Sequence, residues 1–486
     1  MIDMRVSRRS AIGLGASSLT LNAIPAWAKP RPLPAGRDAD VVILGAGMAG
    51  LHAARLLEQA GHSVLVLEGS GRVGGRCWTA RDVQGRPELG AQQIGFGYGR
   101  VRSNAADLNV ELVDPPIGAA AETRLPPLAI SIGGSAPTAD WATSPLNKLS
   151  ASEKSLSPLR LLSYYLFKDN PLVDLEDWQK PEFHGIDALS LRQFMQAKGA
   201  SPEALRLMNV TIAAKDIDDA NALDFLRKQH YYAWEGKHGS FQVVKNGTDA
   251  LTTAMAASLK TKVMLGKVVA AINTAPHHVT ITCKDGSVFR ARACISTIPP
   301  TVLQAIPITG LPVPPEQRAA LTAQRSVALT QVFLKIKSRF WEADGLPATM
   351  WTDGPAEIFV HNPSLVDADG TLLASINGAG STALDTLSDQ EISQLAMREL
   401  ITRRPAAAGQ VEPAYVHRWG RYPFAKGHIS YFAPGNIARH AKVIGRPIGA
   451  LYFAGEHLCR VHAGIEGACE TGENAVLAVL DALDKA

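Results

Sequence analysis

Val41-Val42-Ile43-Leu44-Gly45-Ala46-Gly47-Met48-Ala49-Gly50, continuing as Leu51-His52-Ala53-Ala54-Arg55-Leu56-Leu57, decides how the rest of the chain is read. Four consecutive apolar residues, three of them β-branched, predict a strand buried on both faces. A GxGxxG turn follows, then an Ala/Leu-rich run with helical spacing. In such a turn Gly45 permits the tight bend, Gly47 lets a pyrophosphate approach the backbone, and Gly50 lets helix and strand pack closely, with Ala49 beside it. The helix N-terminus supplies free N–H groups and the positive end of a dipole. Ser63-Val64-Leu65-Val66-Leu67 predicts a second strand ending at Glu68, 23 positions after Gly45 and near the spacing of a ribose-binding carboxylate.

Glu68 leads into Gly69-Ser70-Gly71-Arg72-Val73-Gly74-Gly75-Arg76. A glutamate followed closely by this RxGGR turn resembles the flavin amine oxidase family, the monoamine-oxidase-like branch of FAD-dependent oxidoreductases. Gly75 allows a second close backbone approach, and Arg76 offers a forked donor to diphosphate charge. The resemblance implies an α/β fold: a discontinuous Rossmann-like FAD-binding domain (37–100, 240–300 and 440–486) with an inserted α+β substrate-binding domain (101–239 and 301–439). It implies hydride transfer from an amine-bearing carbon to FAD, with the imine hydrolysed afterwards to an aldehyde or ketone.

Further motifs carry the resemblance along the chain. Leu89-Gly90-Ala91-Gln92-Gln93 resembles the turn that passes the flavin ring, so Gly90, Ala91 and Gln92 are cofactor-side positions. Amino acid oxidases of the family often have Met-Arg after Gly-Ala, the arginine gripping a substrate carboxylate. Gln92-Gln93 lacks that charge-assisted partner, which favours a plain amine. The backbone of Val268 matches the adenine-contacting position. In Thr330-Gln331-Val332-Phe333-Leu334-Lys335-Ile336-Lys337, alternation places Gln331, Phe333 and Lys335 on one face of a strand. Gln331 stands where relatives have a lysine that holds water against the flavin. A glutamine can hold that water without supplying positive charge, which leaves oxygen or a cytochrome-like carrier as the electron acceptor.

Trp419-Gly420-Arg421-Tyr422-Pro423-Phe424-Ala425-Lys426-Gly427-His428 resembles the family's approach to the flavin, with Trp419 at its tryptophan. The covalent cysteine of monoamine oxidases falls at Gly427, so non-covalent FAD is expected. The two aromatic-cage tyrosines fall at His428 and Gly464. Gly455-Glu456-His457, and Gly464-Ile465-Glu466-Gly467-Ala468 opening the last helix, form the second signature. They imply flavin contacts from Gly455, Glu456, Ile465 and Ala468. Two other readings stay open: an L-amino acid oxidase or desaturase of the same superfamily, and a non-catalytic flavin-binding redox sensor.

Coarse patterning adds helices at 158–167, 186–198 and 248–258. It predicts a strand pair at 262–265 with 268–272, a hairpin at 279–291 with an Asp-Gly turn, and a separate buried strand at 293–298. The five cysteines show no CxxC or metal-ligand spacing, so free buried thiols are expected and no metal.

The N-terminus, Ser7-Arg8-Arg9-Ser10 before an apolar run and Ala26-Trp27-Ala28, resembles a twin-arginine (Tat) export signal spanning residues 1–28. It implies handling by the Tat machinery and a periplasmic or secreted protein. Without it the formal charge of +4 loses three arginines and one aspartate, leaving +2. That balance argues against nucleic-acid binding, and no apolar run of about 18 residues predicts a membrane anchor. Arg8→Lys combined with Arg9→Lys is expected to strand the protein in the cytoplasm; fractionation with an activity or antibody readout checks this, and normal export of the double variant contradicts it.

Overall fold

The computed structural model describes residues 36–116 and 127–485, so the proposed export signal lies outside the described residues. Strand β1 (Ala39–Leu44) is buried along its whole length. It passes through the glycine turn into helix α1 (Met48–Gln59) and returns as β2 (Val64–Leu67), parallel to β1. Later segments complete a seven-stranded sheet: β3 (Val269–Thr274), β4 (Val279–Cys283), β5 (Val288–Ser296), β6 (Ile308–Gly310) and β7 (Leu451–Phe453). The order is β2-β1-β5-β4-β3-β6, with β7 beside β5. β1 thus has a parallel neighbour on each side, which is why an uninterrupted Val/Ile/Leu run suits it.

Two strand expectations are corrected. The segment 262–265 does not pair with 268–272; Met264 forms an isolated parallel bridge to Leu67 at the outer edge of β2. Gly266, at φ 71, turns the chain away before β3 starts. The hairpin strand and the buried strand after it are one element, because β5 runs unbroken from Val288 to Ser296. Its first residues pair antiparallel with β4, and its later ones lie parallel to β1 and β7. The expected helix 186–198 is also broken. Ser190 adopts an extended conformation and caps a new helix, Leu191–Ala197, through a capping box with Gln193.

Among the described residues a second, six-stranded sheet runs in the order Val411–Arg418, Leu329–Ile336, Asp367–Asn377, Ile358–Ser364, Thr349–Thr352, Leu128–Ser131. Helices from residues 158 to 238, among them the 158–167 helix, pack a separate core that includes Trp141, Trp178 and Trp351. The chain is thus α/β, the seven-stranded sheet with its helices forming one unit and the six-stranded sheet with the 158–238 helices forming an α+β unit inserted into it. Four helices matter below: α2 (Gly99–Asp107), α3 (Ala222–His238), α4 (Thr248–Ala257) and α5 (Gly464–Lys485). All five cysteines are free and buried.

In the second sheet Glu357 is buried at φ 56, accepting the Asn377 N–H at 2.9 Å and its amide nitrogen at 3.3 Å. Burial pushes its carboxyl up to about 8, against the pull of those donors. The unfolded chain releases this proton near the ordinary value of 4.5, whereas the folded chain keeps it until about 8. Stability therefore falls as pH rises between these limits, by at most about 1.4 kcal/mol per pH unit. Glu357→Gln is expected to remove that slope, so its melting temperature gains on the wild type steadily from pH 5 to pH 8.

Candidate active site

The β1–α1 turn is built to bring backbone close to a ligand. Gly45 takes φ 105, and a Cβ on Gly50 would lie 2.0 Å from the Gly45 carbonyl oxygen. Helix α1 starts without a side-chain cap and without an acidic residue in its first turn. Its leading N–H groups and positive dipole end are therefore uncovered. Glu68 fastens the turn: one carboxylate oxygen accepts the Ala46 N–H and the other the Ser70 N–H, each at 2.8 Å. The second glycine pair is stitched to the first, with Gly74 N–H donating to the Ala46 carbonyl at 2.8 Å.

Arg76 lies beside this turn, but its guanidinium reaches across the molecule. It donates to the His428 carbonyl at 2.7 Å and to Glu456 at 3.2 Å. Burial opposes the Glu456 charge; Arg76, with Lys228 and His457, nevertheless holds the carboxyl below its usual range. Burial, aided by Arg76, lowers the His428 imidazole to about 4, so it is neutral near pH 7. The His428 N–H donates to the Val327 carbonyl at 2.9 Å, so its backbone is held on both sides.

These parts surround one cavity of about 930 Å³, at the upper end of the usual range for ligand sites. Gly45, Gly47, Ala49, Glu68, Gly75, Arg76 and Val268 line it, as do Gly90, Ala91, Gln92, Gly455, Glu456, Ile465, Ala468, His428 and Gly464. Gly50, Trp419 and Gln331 do not. Gly50 packs against the turn. Trp419 is fully buried beneath the Gly90 turn, its indole N–H donating to the Leu89 carbonyl at 2.7 Å. Gln331 is buried in the Leu329–Ile336 strand, in register with His417 on one side and Ser375 on the other. Its Oε1 and the Nε2 of His417 have no hydrogen-bond partner among the described residues.

Sequence reasoning missed several wall residues, notably Tyr98, Tyr232 and Ile429. Tyr98 carried a usable signal, an aromatic flanked by glycines in Gly95-Phe96-Gly97-Tyr98-Gly99. Tyr232 and Ile429 belong to no motif.

The chain belongs to the family of flavin-containing amine oxidoreductases, whose model matches residues 48–480. An L-amino-acid oxidase from Siganus canaliculatus is 29% identical over 461 residues, covering 90% of this chain and 84% of that protein. A putative L-amino-acid oxidase from Bacillus subtilis is 25% identical over 460 residues, covering 89% and 92%. Among solved structures, a putrescine oxidase variant is similar with a TM-score of 0.75 at 21% identity, over 91% of this chain and 99% of that one. Cyclohexylamine oxidase from Brevibacterium oxydans gives 0.73 at 22% identity, over 92% and 100%. The chain is therefore a flavin-dependent oxidoreductase, and the glycine cradle, uncapped helix end and cavity fit such a cofactor.

Arg76→Met removes the partner of a nearly buried carboxylate. The pair is partly solvated, so the expected loss of stability is about 1–3 kcal/mol, below that of a fully buried pair. Arg76→Lys is expected to recover part of it, both being read by chemical denaturation.

Proposed function

We propose that this protein holds FAD non-covalently and oxidises an amine without a carboxylate to an imine that water converts to an aldehyde or ketone. The observation that carries the reading is the set Gln92, Gln93, Tyr98, Tyr232, Ile429 and neutral His428, which line the cavity together with Gly464 and offer no carboxylate-binding cation. Bound flavin supplies the hydride acceptor. The chain's own work is positional. The α1 end and Arg76–Glu456 pair anchor the polar parts of the cofactor, and the N-terminus of α5, at Gly464 and Ile465, offers backbone N–H groups to its ring edge, with Ala468 on the cavity wall beside them. His428, neutral, offers a ring nitrogen as acceptor for an amine N–H.

Sequence relatives that are L-amino-acid oxidases favour a second reading, oxidation of an amino acid. Against it, Arg76, the one arginine lining the cavity among the described residues, is engaged by Glu456, and the side chains of Gln92 and Gln93 carry no charge to grip a carboxylate. Gly427 supports non-covalent attachment: it sits at φ 147, and a Cβ there would lie 2.0 Å from the Ser326 hydroxyl oxygen. The acceptor is oxygen, giving hydrogen peroxide, or a cytochrome-like carrier in the periplasm, the compartment proposed from the Tat-like leader. No helix among the described residues is long and apolar enough to cross a membrane.

Acid precipitation is expected to leave FAD in the supernatant and the pellet colourless; flavin retained by the pellet contradicts non-covalent binding. Under anaerobic conditions at least one simple monoamine is expected to abolish the visible flavin absorbance. A broad amine panel that leaves the spectrum untouched would support a redox-sensing role instead.

A further inference from the structure

Gly464 opens α5 at φ 54 with no side chain to form a wall. The nearest atom to where its Cβ would be is the Tyr98 hydroxyl oxygen, at 3.5 Å. Tyr98 comes from a different part of the chain, lines the same cavity and is itself buried. We propose that Tyr98 is the residue that closes the amine end of the cavity over Gly464 and so sets the size of amine accepted. The proposal rests on the reading of that end as the amine site.

Independent contacts hold Tyr98 in this place. Glu466, two residues into α5, is buried and accepts the N–H groups of Arg100 at 3.1 Å and Val101 at 3.0 Å. The start of α5 therefore caps the start of α2, and Gly464 and Tyr98 move together. The Tyr98 carbonyl accepts the Arg102 N–H at 2.9 Å. On its far side the ring stacks on Tyr231, with centroids 6.5 Å apart and planes 26° apart. Tyr231 donates to Glu235 at 2.6 Å, and Glu235 accepts the Gly97 N–H at 3.0 Å, closing a loop around the tyrosine. A side chain fixed at both backbone and ring presents a rigid surface, which is what discrimination by size requires.

The test uses the flavin-loaded protein and two amines that bind without reacting because the carbon bearing nitrogen carries no hydrogen: tert-butylamine and the bulkier cumylamine. Affinity is read from the shift they produce in the flavin spectrum, so no turnover is needed. Tyr98→Phe keeps the ring and is expected to hold both affinities within about threefold. Tyr98→Leu fills the core but opens the wall. It is expected to weaken the small amine at least tenfold and to improve the ratio of bulky to small by a similar factor. Should the leucine variant lose flavin, Gly464→Ala reads the same space from the other side, its methyl facing the Tyr98 hydroxyl, and is expected to disfavour the bulky amine at least fivefold. Unchanged affinities and ratio in the flavin-loaded leucine variant, or in Gly464→Ala if it is used, overturn the proposal. Wild-type protein that holds flavin but shows no shift with either amine overturns it together with the reading of the amine site. Wild-type shifts with unchanged variants overturn the proposal alone.

Discussion

How near α1 is allowed to come to the end of β1 governs everything else. Residue 50 packs directly on the Gly45 carbonyl, and any side chain there would force helix and strand apart. Because it is glycine, the uncapped end of α1 sits at the mouth of the sheet, Glu68 can clamp the turn from β2, and the Gly74 turn can bond to the same loop. The remaining elements arrive around that fixed point. β5 threads between β1 and β7, and α5, which follows β7, packs on α1 where Gly472 meets the Ala49 carbonyl.

The second organising feature is electrostatic. Arg76 leaves the glycine turn and ties together two segments more than 350 positions away in sequence, at His428 and Glu456. A charge so used is not available to a substrate, and it adds to the burial that keeps the neighbouring imidazole neutral. The same contact thus ties the loop at His428 to the segment that follows β7. A substrate carboxylate in the cavity would need a charged partner, and the Gly90-Ala91 turn is followed by two glutamines.

Much of this was legible in the sequence because glycine and β-branched residues act locally. A buried parallel strand, a GxGxxG turn and a helix opened by Gly464 each follow from steric rules that need no distant partner. Residues whose role depends on long-range packing were harder to read. Trp419 looked like a cavity residue, yet it lies under the Gly90 turn, because its indole N–H finds the Leu89 carbonyl. Gln331 reads as a water holder at the ring; it sits inside the strand ladder in register with His417 and is not among the residues lining the cavity. Met264 read as half of a strand pair because local patterning is blind to which edge a segment will join. Tyr98 was missed for the opposite reason: its place over Gly464 is made by Glu466 capping a helix 366 positions earlier.

The proposed preference of the cavity for an amine without a carboxylate is tested most directly by comparing kcat/KM for matched pairs, each an L-amino acid and the amine left when its carboxylate is removed. The account predicts that the amine is preferred at least a hundredfold in every reactive pair. A preference for the amino acid would contradict it, and would mean that a charged partner for the carboxylate enters the cavity from residues now placed elsewhere.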